Sequence, residues 1–263
     1  MKLLLNAVVA VFASMFILTL SACDGDNDGV VPSGDIVTRT FDLTDFDGVK
    51  LNLYDTEIEQ SDEFSIAVRV DDNLADAVDA DITGTTLDLQ FEPDGVIRGN
   101  VTLEAIITMP TVKFVEVTGA GVVSVEGFGA ADSIDLWANG ASSLEGTFNA
   151  SNMSLSLSGA SSADLVVTTG LLDASLSGAS SVTGEGSVDR LLLDLSGASN
   201  VDLPELTVET ASVELSGASH ALVKVDEEIA PVTLSGASTL EYLGDPDLGD
   251  VSTTGASTVD RAD

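Results

Sequence analysis

Leu155-Ser156-Leu157-Ser158-Gly159-Ala160-Ser161 recurs in close copies to the end of the chain. Its Gly-Ala step stands at Gly119, Gly140, Gly159, Gly178, Gly197, Gly217, Gly236 and Gly255, at intervals of 21, 19, 19, 19, 20, 19 and 19 residues. A fixed period of this length marks a solenoid, in which each repeat is one rung and only stacking buries its apolar face. Counting back from each glycine gives the register. Two and four residues before it stand apolar side chains, such as Leu155 with Leu157, Leu193 with Leu195 and Val213 with Leu215. The position between them is mostly polar: Glu116, Trp137, Ser156, Ser175, Asp194, Glu214, Thr233 and Ser252. Such alternation is that of a half-buried strand. No helical periodicity interrupts the rungs, as it would in a leucine-rich horseshoe. The pattern predicts an all-β fold, a single-stranded parallel β-helix of about 19–20 residues per rung. A β-sandwich with coincidental glycine spacing is the alternative.

The corner has a physical reading in that fold. Glycine permits a positive φ or a close pass over the rung below. Alanine is expected to turn inward where space is tight, and the hydroxyls before glycine (Ser158, Ser177, Ser196, Ser216, Ser235) form a polar ladder along one edge. Eight rungs at about 4.8 Å each give a rod roughly 35 Å long.

The 263 residues carry 44 acids against nine bases, a formal charge of −35. Such a surface repels phosphate backbones, which excludes nucleic acid as a partner. The single cysteine, Cys23, rules out an internal disulfide. Its position is informative. Lys2, a mostly apolar run from Leu3 to Leu20 and the small pair Ser21-Ala22 precede it, in the order of an export signal. Leu20-Ser21-Ala22-Cys23 resembles the bacterial lipobox, in which the leader is cut before cysteine and the thiol receives a diacylglycerol. Residues 1–22 are therefore expected to be a lipoprotein signal peptide, with Cys23 as the lipidation site and the protein anchored in the cell envelope. An uncleaved transmembrane anchor is the alternative.

Residues 23–35 form an acidic tether. Asp24, Asp26 and Asp28 followed by Gly29 resemble the first half of a calcium loop, with Asp35 at its twelfth position. No helix precedes it and Pro32 interrupts it, so a plain acidic spacer is the competing reading. Residues 36–110 lack the Gly-Ala step but alternate like strands, for example at Phe64 to Val70 and Leu87 to Phe91. Asn73 to Ala80 is the one expected helical turn, capped by Asn73, and Thr83-Gly84-Thr85 is a turn. This region is expected to supply the first rungs and an N-terminal cap over the solenoid's open end. Residues 111–263 are the Gly-Ala-Ser repeat.

A family resemblance rests on particular motifs. Phe46-Asp47-Gly48-Val49 is followed by Ile58 to Glu63, then Asp71-Asp72-Asn73-Leu74 and Leu87-Asp88-Leu89. Ile107-Thr108-Met109-Pro110 then leads into Val117-Thr118-Gly119-Ala120-Gly121. This order resembles the bacterial head GIN domain family of auto-transporter adhesins, found in many exported lipoproteins. The resemblance implies a right-handed parallel β-helix and an adhesin-like role, and it supplies no catalytic residues.

The even gaps leave little room for the loops that build a catalytic cleft on a β-helix. Only Arg190, Lys224 and Arg261 supply bases after Lys113, and His220 is the sole histidine. It stands where other rungs carry Ser143, Ser162, Ser181, Asn200, Thr239 and Thr258, and so reads as a surface variant. Trp137, in an outward register, is the candidate ligand-binding residue, since an exposed indole on a β-face stacks sugar rings. Packing under the cap is the alternative. Asp194 and Glu214 occupy equivalent places on adjacent rungs, which puts them about 5 Å apart. The expected function is a non-catalytic, envelope-anchored binding rod that offers polar acidic faces to a glycan or protein ligand, with calcium as the one candidate cofactor. An envelope structural or signalling partner is the alternative, and a polysaccharide-acting enzyme a more distant one.

Overall fold

The computed structural model describes residues 29–52 and 54–262. Among the described residues nineteen strands form one continuous sheet, with a single 3₁₀ turn beside it, and the repeats stack as a parallel β-solenoid of about eight turns. The regular part runs from β10 (Ala131–Ala138) through β11 (Ser143–Leu157), β12 (Ser162–Leu176), β13 (Ser181–Leu195), β14 (Asn200–Leu215) and β15 (His220–Leu234). Each pairs in parallel with the next, so that Leu155 lies on Ala174 and Leu157 on Leu176. The 15-residue strands are bent once. Pairing passes over Ser151 and, one rung on, Gly170, which marks the second corner of the rung. Side chains on the inner side are buried throughout, with Leu155, Leu191, Leu195 and Val225 fully inaccessible. That continuous column of apolar side chains is the core, and no single rung could bury its share alone.

The Gly-Ala-Ser corner is built differently from the expectation. Gly159 has φ +78°, and a Cβ there would stand 2.5 Å from the carbonyl oxygen of Gly140 below it. A side chain is therefore excluded both by backbone conformation and by backbone contact. Ala160 then faces solvent, while the serine after it, Ser161, turns inward and is 1% exposed. The reason is hydrogen bonding. Ser161 Oγ donates to the carbonyl of Ser158 at 2.7 Å, and Ser180, Ser199, Ser219 and Ser238 repeat the contact at 2.7–2.8 Å. An inward alanine would leave those corner carbonyls without this donor. The alanine instead contributes its backbone N–H, which bonds the glycine carbonyl of the previous rung, as in Ala160 to Gly140 at 2.7 Å.

At the N-terminal end, stacking order departs from chain order. Strand β2 (Gly48–Asn52) lies between β6 (Thr86–Phe91) and β8 (Phe114–Thr118), all parallel. Likewise β3 (Asp55–Gln60) lies between β7 (Leu103–Met109) and β9 (Val122–Glu126). The rung of residues 48–60 is thus enclosed between residues 86–109 and 114–126. Antiparallel strands then cover the end: β4 (Ser65–Asp71) on β7, β1 (Ile36–Phe41) on β4, and β5 (Val78–Thr83) on β6. The hairpin joining β5 and β6 turns at Gly84, as the sequence indicates.

The helical element is a 3₁₀ turn, Asp72–Ala77, and the chain is already extended at Val78. Asn73 does not cap it. Its amide grips the N-terminal segment instead, donating to the Val31 carbonyl at 2.9 Å and accepting from the Ser33 amide at 3.1 Å. Arg39 closes the turn from outside by donating to the carbonyls of Ala75 and Val78. At the far end, the last rung comprises β17 (Asp247–Leu248), β18 (Val251–Thr253) and β19 (Thr258–Arg261). There Thr253 succeeds Leu234 in the inward column, and Arg261, paired with Asp245 at 3.0 Å, succeeds Tyr242.

Candidate functional site

The outward position three residues before each corner glycine forms one straight ladder. Lys50, Glu116 and Trp137 are successive register partners, followed by Ser156, Ser175, Asp194, Glu214, Thr233 and Ser252. Parallel stacking with a constant period produces it directly, since equivalent residues of successive rungs must lie side by side. Trp137 is 49% exposed on this face. The ring of Phe114, two positions along and one rung back, meets the indole edge-on, with centroids 6.0 Å apart and planes at 72°. The indole is thus in contact with Phe114 and half exposed to solvent.

An open groove of about 500 Å³ runs from this indole along the ladder, lined by Glu116, Asn139, Ser156, Ser175, Asp194 and Ser196 among others. Its two carboxylates stand four rungs apart, roughly 19 Å, with hydroxyls and the indole between them. Lys50 approaches Glu116 at 3.6 Å and offsets its charge. Beyond Asp194, Glu214 is its direct register partner on the next rung, as the spacing requires. A face with one accessible aromatic and a row of hydroxyls is suited to stacking an apolar ring face while hydrogen-bonding the ring's substituents.

A second shallow depression on another side of the rod is lined by Glu126, Glu145, Asp164, Glu185, Asp202 and Glu205 among others. Among the described residues no group of three His, Cys, Asp or Glu side chains is placed to hold a metal ion. Asp24, Asp26, Asp28 and Cys23 lie outside the described residues. Asp35 is described: its carbonyl accepts from the Asp72 amide at 2.8 Å, which ties the segment to the cap.

His220 sits in a different row, the one after the corner, between Asn200 and Thr239, its ring nitrogens 3.1 Å from Asn200 Oδ1 and 3.0 Å from Glu241 Oε2. No hydroxyl is among its hydrogen-bond partners. Nearer the cap, Lys113 bonds Asp47 at 2.6 Å across adjacent rungs. Burial works against ionising Asp47, but the hydrogen bonds from Lys113 and Thr85 outweigh it and hold the carboxyl below its usual value. The same bond raises Lys113.

Phe114 is the neighbour of Trp137 that the repeat did not reveal. It precedes the first Gly-Ala step by five residues, Trp137 precedes the second by three, and both positions point outward. Two aromatics on the solvent side of consecutive rungs were the available signal.

The family model described as "Putative auto-transporter adhesin, head GIN domain" matches residues 45–246. The chain belongs to the head GIN domain family. Solved structures agree in fold. A "putative adhesin" from Parabacteroides merdae superposes with a TM-score of 0.80 at 19% identity, covering 90% of this chain and 100% of that one. A "Putative lipid binding protein" from Parabacteroides distasonis gives 0.78 at 18%, covering 89% and 99%. A "putative adhesin" from Bacteroides fragilis gives 0.69 at 19%, covering 89% and 100%. No functionally curated protein matches the chain. At these identities the structural likeness establishes the head GIN solenoid and leaves the ligand to the chemistry of the faces.

Proposed function

We propose that this head GIN protein is a non-catalytic lipoprotein of the cell envelope, anchored through Cys23, whose rod presents the Trp137 face to a glycan. The observation that carries the reading is the half-exposed indole, braced by Phe114 and followed along the ladder by Ser156 and Ser175. Apolar surface of this size is retained at an otherwise polar ladder position, where solvation would favour a polar side chain like Glu116 and Ser156 on the neighbouring rungs. Sugar rings offer the matching chemistry, an apolar C–H face edged by hydroxyls. The adhesin description of the family and of two structural relatives is consistent with a binding role. Calcium is the candidate cofactor, with Asp24, Asp26, Asp28 and Asp35 of the acidic tether as its ligands. The test is a glycan array probed with the leaderless chain, with and without calcium. Saturable binding that Trp137→Ala abolishes supports the reading, and silence in both conditions favours a protein partner in the envelope.

A further inference from the structure

The two most exposed large apolar side chains of the described residues stand together, near the point from which the chain runs back to Cys23. Val31 is 63% exposed and Val96 62%, ahead of Trp137 at 49%. Their neighbours Val30 and Ile97 form a parallel bridge. The Val30 amide donates to the Val96 carbonyl at 2.9 Å, and the Arg98 amide to the Val30 carbonyl at 2.8 Å. Alternation along these two extended segments sends Val30 and Ile97 onto the core and Val31, Val96 and Arg98 to the outer side. Nor is the ribbon a loose tail. Asn73 holds Val31 and Ser33, and the buried Asp71 carboxylate accepts from the Gly34 amide at 2.7 Å. Among the described residues, nothing packs over these two outward valines on a pinned ribbon at the end of the rod.

We propose that this ribbon is a bilayer contact. Val31 and Val96 seat in the headgroup–acyl boundary of the membrane that holds Cys23, with the Arg98 guanidinium at the lipid phosphates. The rod then stands cap-down, its last rung pointing away from the membrane and the Trp137 ladder running up its side. The proposal rests on the lipid-anchor reading of Cys23. Val30 lies seven residues after Cys23, a span of at most about 25 Å when fully extended. The tether therefore keeps the cap at the surface, and this raises the effective concentration of a contact that two valines alone would hold weakly. Asp35, Asp94 and the net charge of −35 oppose an anionic surface, so the contact is apolar in origin and weakens as anionic lipid is added.

The test uses the full chain, produced in a lipoprotein-processing bacterium and reconstituted in phosphatidylcholine vesicles. Cys23 is blocked by its own acylation, and a fluorophore is placed through Asp94→Cys beside the ribbon or through Asp247→Cys in the last rung. Headgroup-nitroxide lipid is expected to quench position 94 about threefold or more above position 247. Val31→Ser with Val96→Ser is expected to remove most of that difference while the melting curve stays in place. Equal quenching at the two positions, or quenching at 94 that ignores the double substitution, overturns the proposal. Self-quenching between labels at 94 in a dimer also overturns it, by giving the ribbon to a second copy. Mass spectrometry separates the two layers. An acylated chain without quenching sinks the contact alone, whereas an unmodified Cys23 sinks the anchor and the contact with it.

Discussion

Phe114 and Trp137 meet edge-on across two adjacent rungs, 6.0 Å between ring centroids, and the indole stays half exposed in line with the hydroxyls of Ser156 and Ser175. A side chain held this way is a surface feature with little part in the core. Trp137→Ala is expected to cost only about 1 kcal/mol of stability, the edge contact and partial burial it gives up. Glycan binding should be lost. Parallel denaturant melts and binding titrations check this, and a large loss of stability would assign Trp137 to packing.

The corner predicts an opposite pair of outcomes at adjacent residues. Gly159→Ala places a Cβ against the Gly140 carbonyl in a left-handed conformation. It should destabilise by about 2–4 kcal/mol. Ala160→Ser, one residue later and exposed, should change stability by less than about 0.5 kcal/mol. Chemical denaturation of the two variants reads the difference.

The inward serine makes a third case. Ser161→Ala removes the donor to the Ser158 carbonyl in a buried corner. The expected cost is about 1 kcal/mol, the usual worth of such a bond. Indifference to this change would mean that the hydroxyl column contributes nothing to stacking.

The cap makes a fourth. Asp71 is 2% exposed and accepts from the amides of Gly34 and Thr102 at 2.7 and 2.9 Å. A chain shortened to begin at residue 36 removes the first donor together with the Asn73 contacts. It should be less stable than a chain beginning at residue 29 by about 1–3 kcal/mol. Differential thermal melts of the two lengths test it.

The Asp47–Lys113 bond adds a pH signature. Asp47 is depressed in the fold, so its stabilising share is present above the unfolded value near 3.9 and is lost as pH falls through the lower folded value. Lys113 is raised, so its share is present below about 10.4 and is lost as pH rises through the higher folded value. Lys113→Met should lower the melting temperature slightly at neutral pH, less so in high salt, and not at all at a pH where Asp47 is protonated. A difference that persists in strong acid would contradict the ion-pair account.

Much of the fold was legible because a solenoid writes its period into the chain. The Gly-Ala step gave the rung length, and the Leu155/Leu157 alternation gave the inner side. The same register placed Trp137 outward and set Asp194 beside Glu214, and the structure has both relationships. The direction of the corner was not legible. Alanine and serine are both small, and which one turns inward depends on whether the carbonyl at Ser158 needs a donor, which only the closed corner defines. Chain order likewise hid the cap, where residues 48–60 slide between two later segments through long-range pairing that leaves no local signal. Asn73 looked like a helix cap because a cap and a clasp on a crossing segment use the same amide chemistry. Within the candidate site the indole was visible, but its brace was not, since Phe114 and Trp137 occupy different positions of the repeat.

The most direct test of the account is a glycan array probed with residues 24–263 and, in parallel, with the same chain carrying Trp137→Ala or His220→Ala. The account predicts saturable binding to a defined glycan set, retained by His220→Ala and abolished by Trp137→Ala. Binding that survives Trp137→Ala, or no binding by any of the three chains, would contradict it.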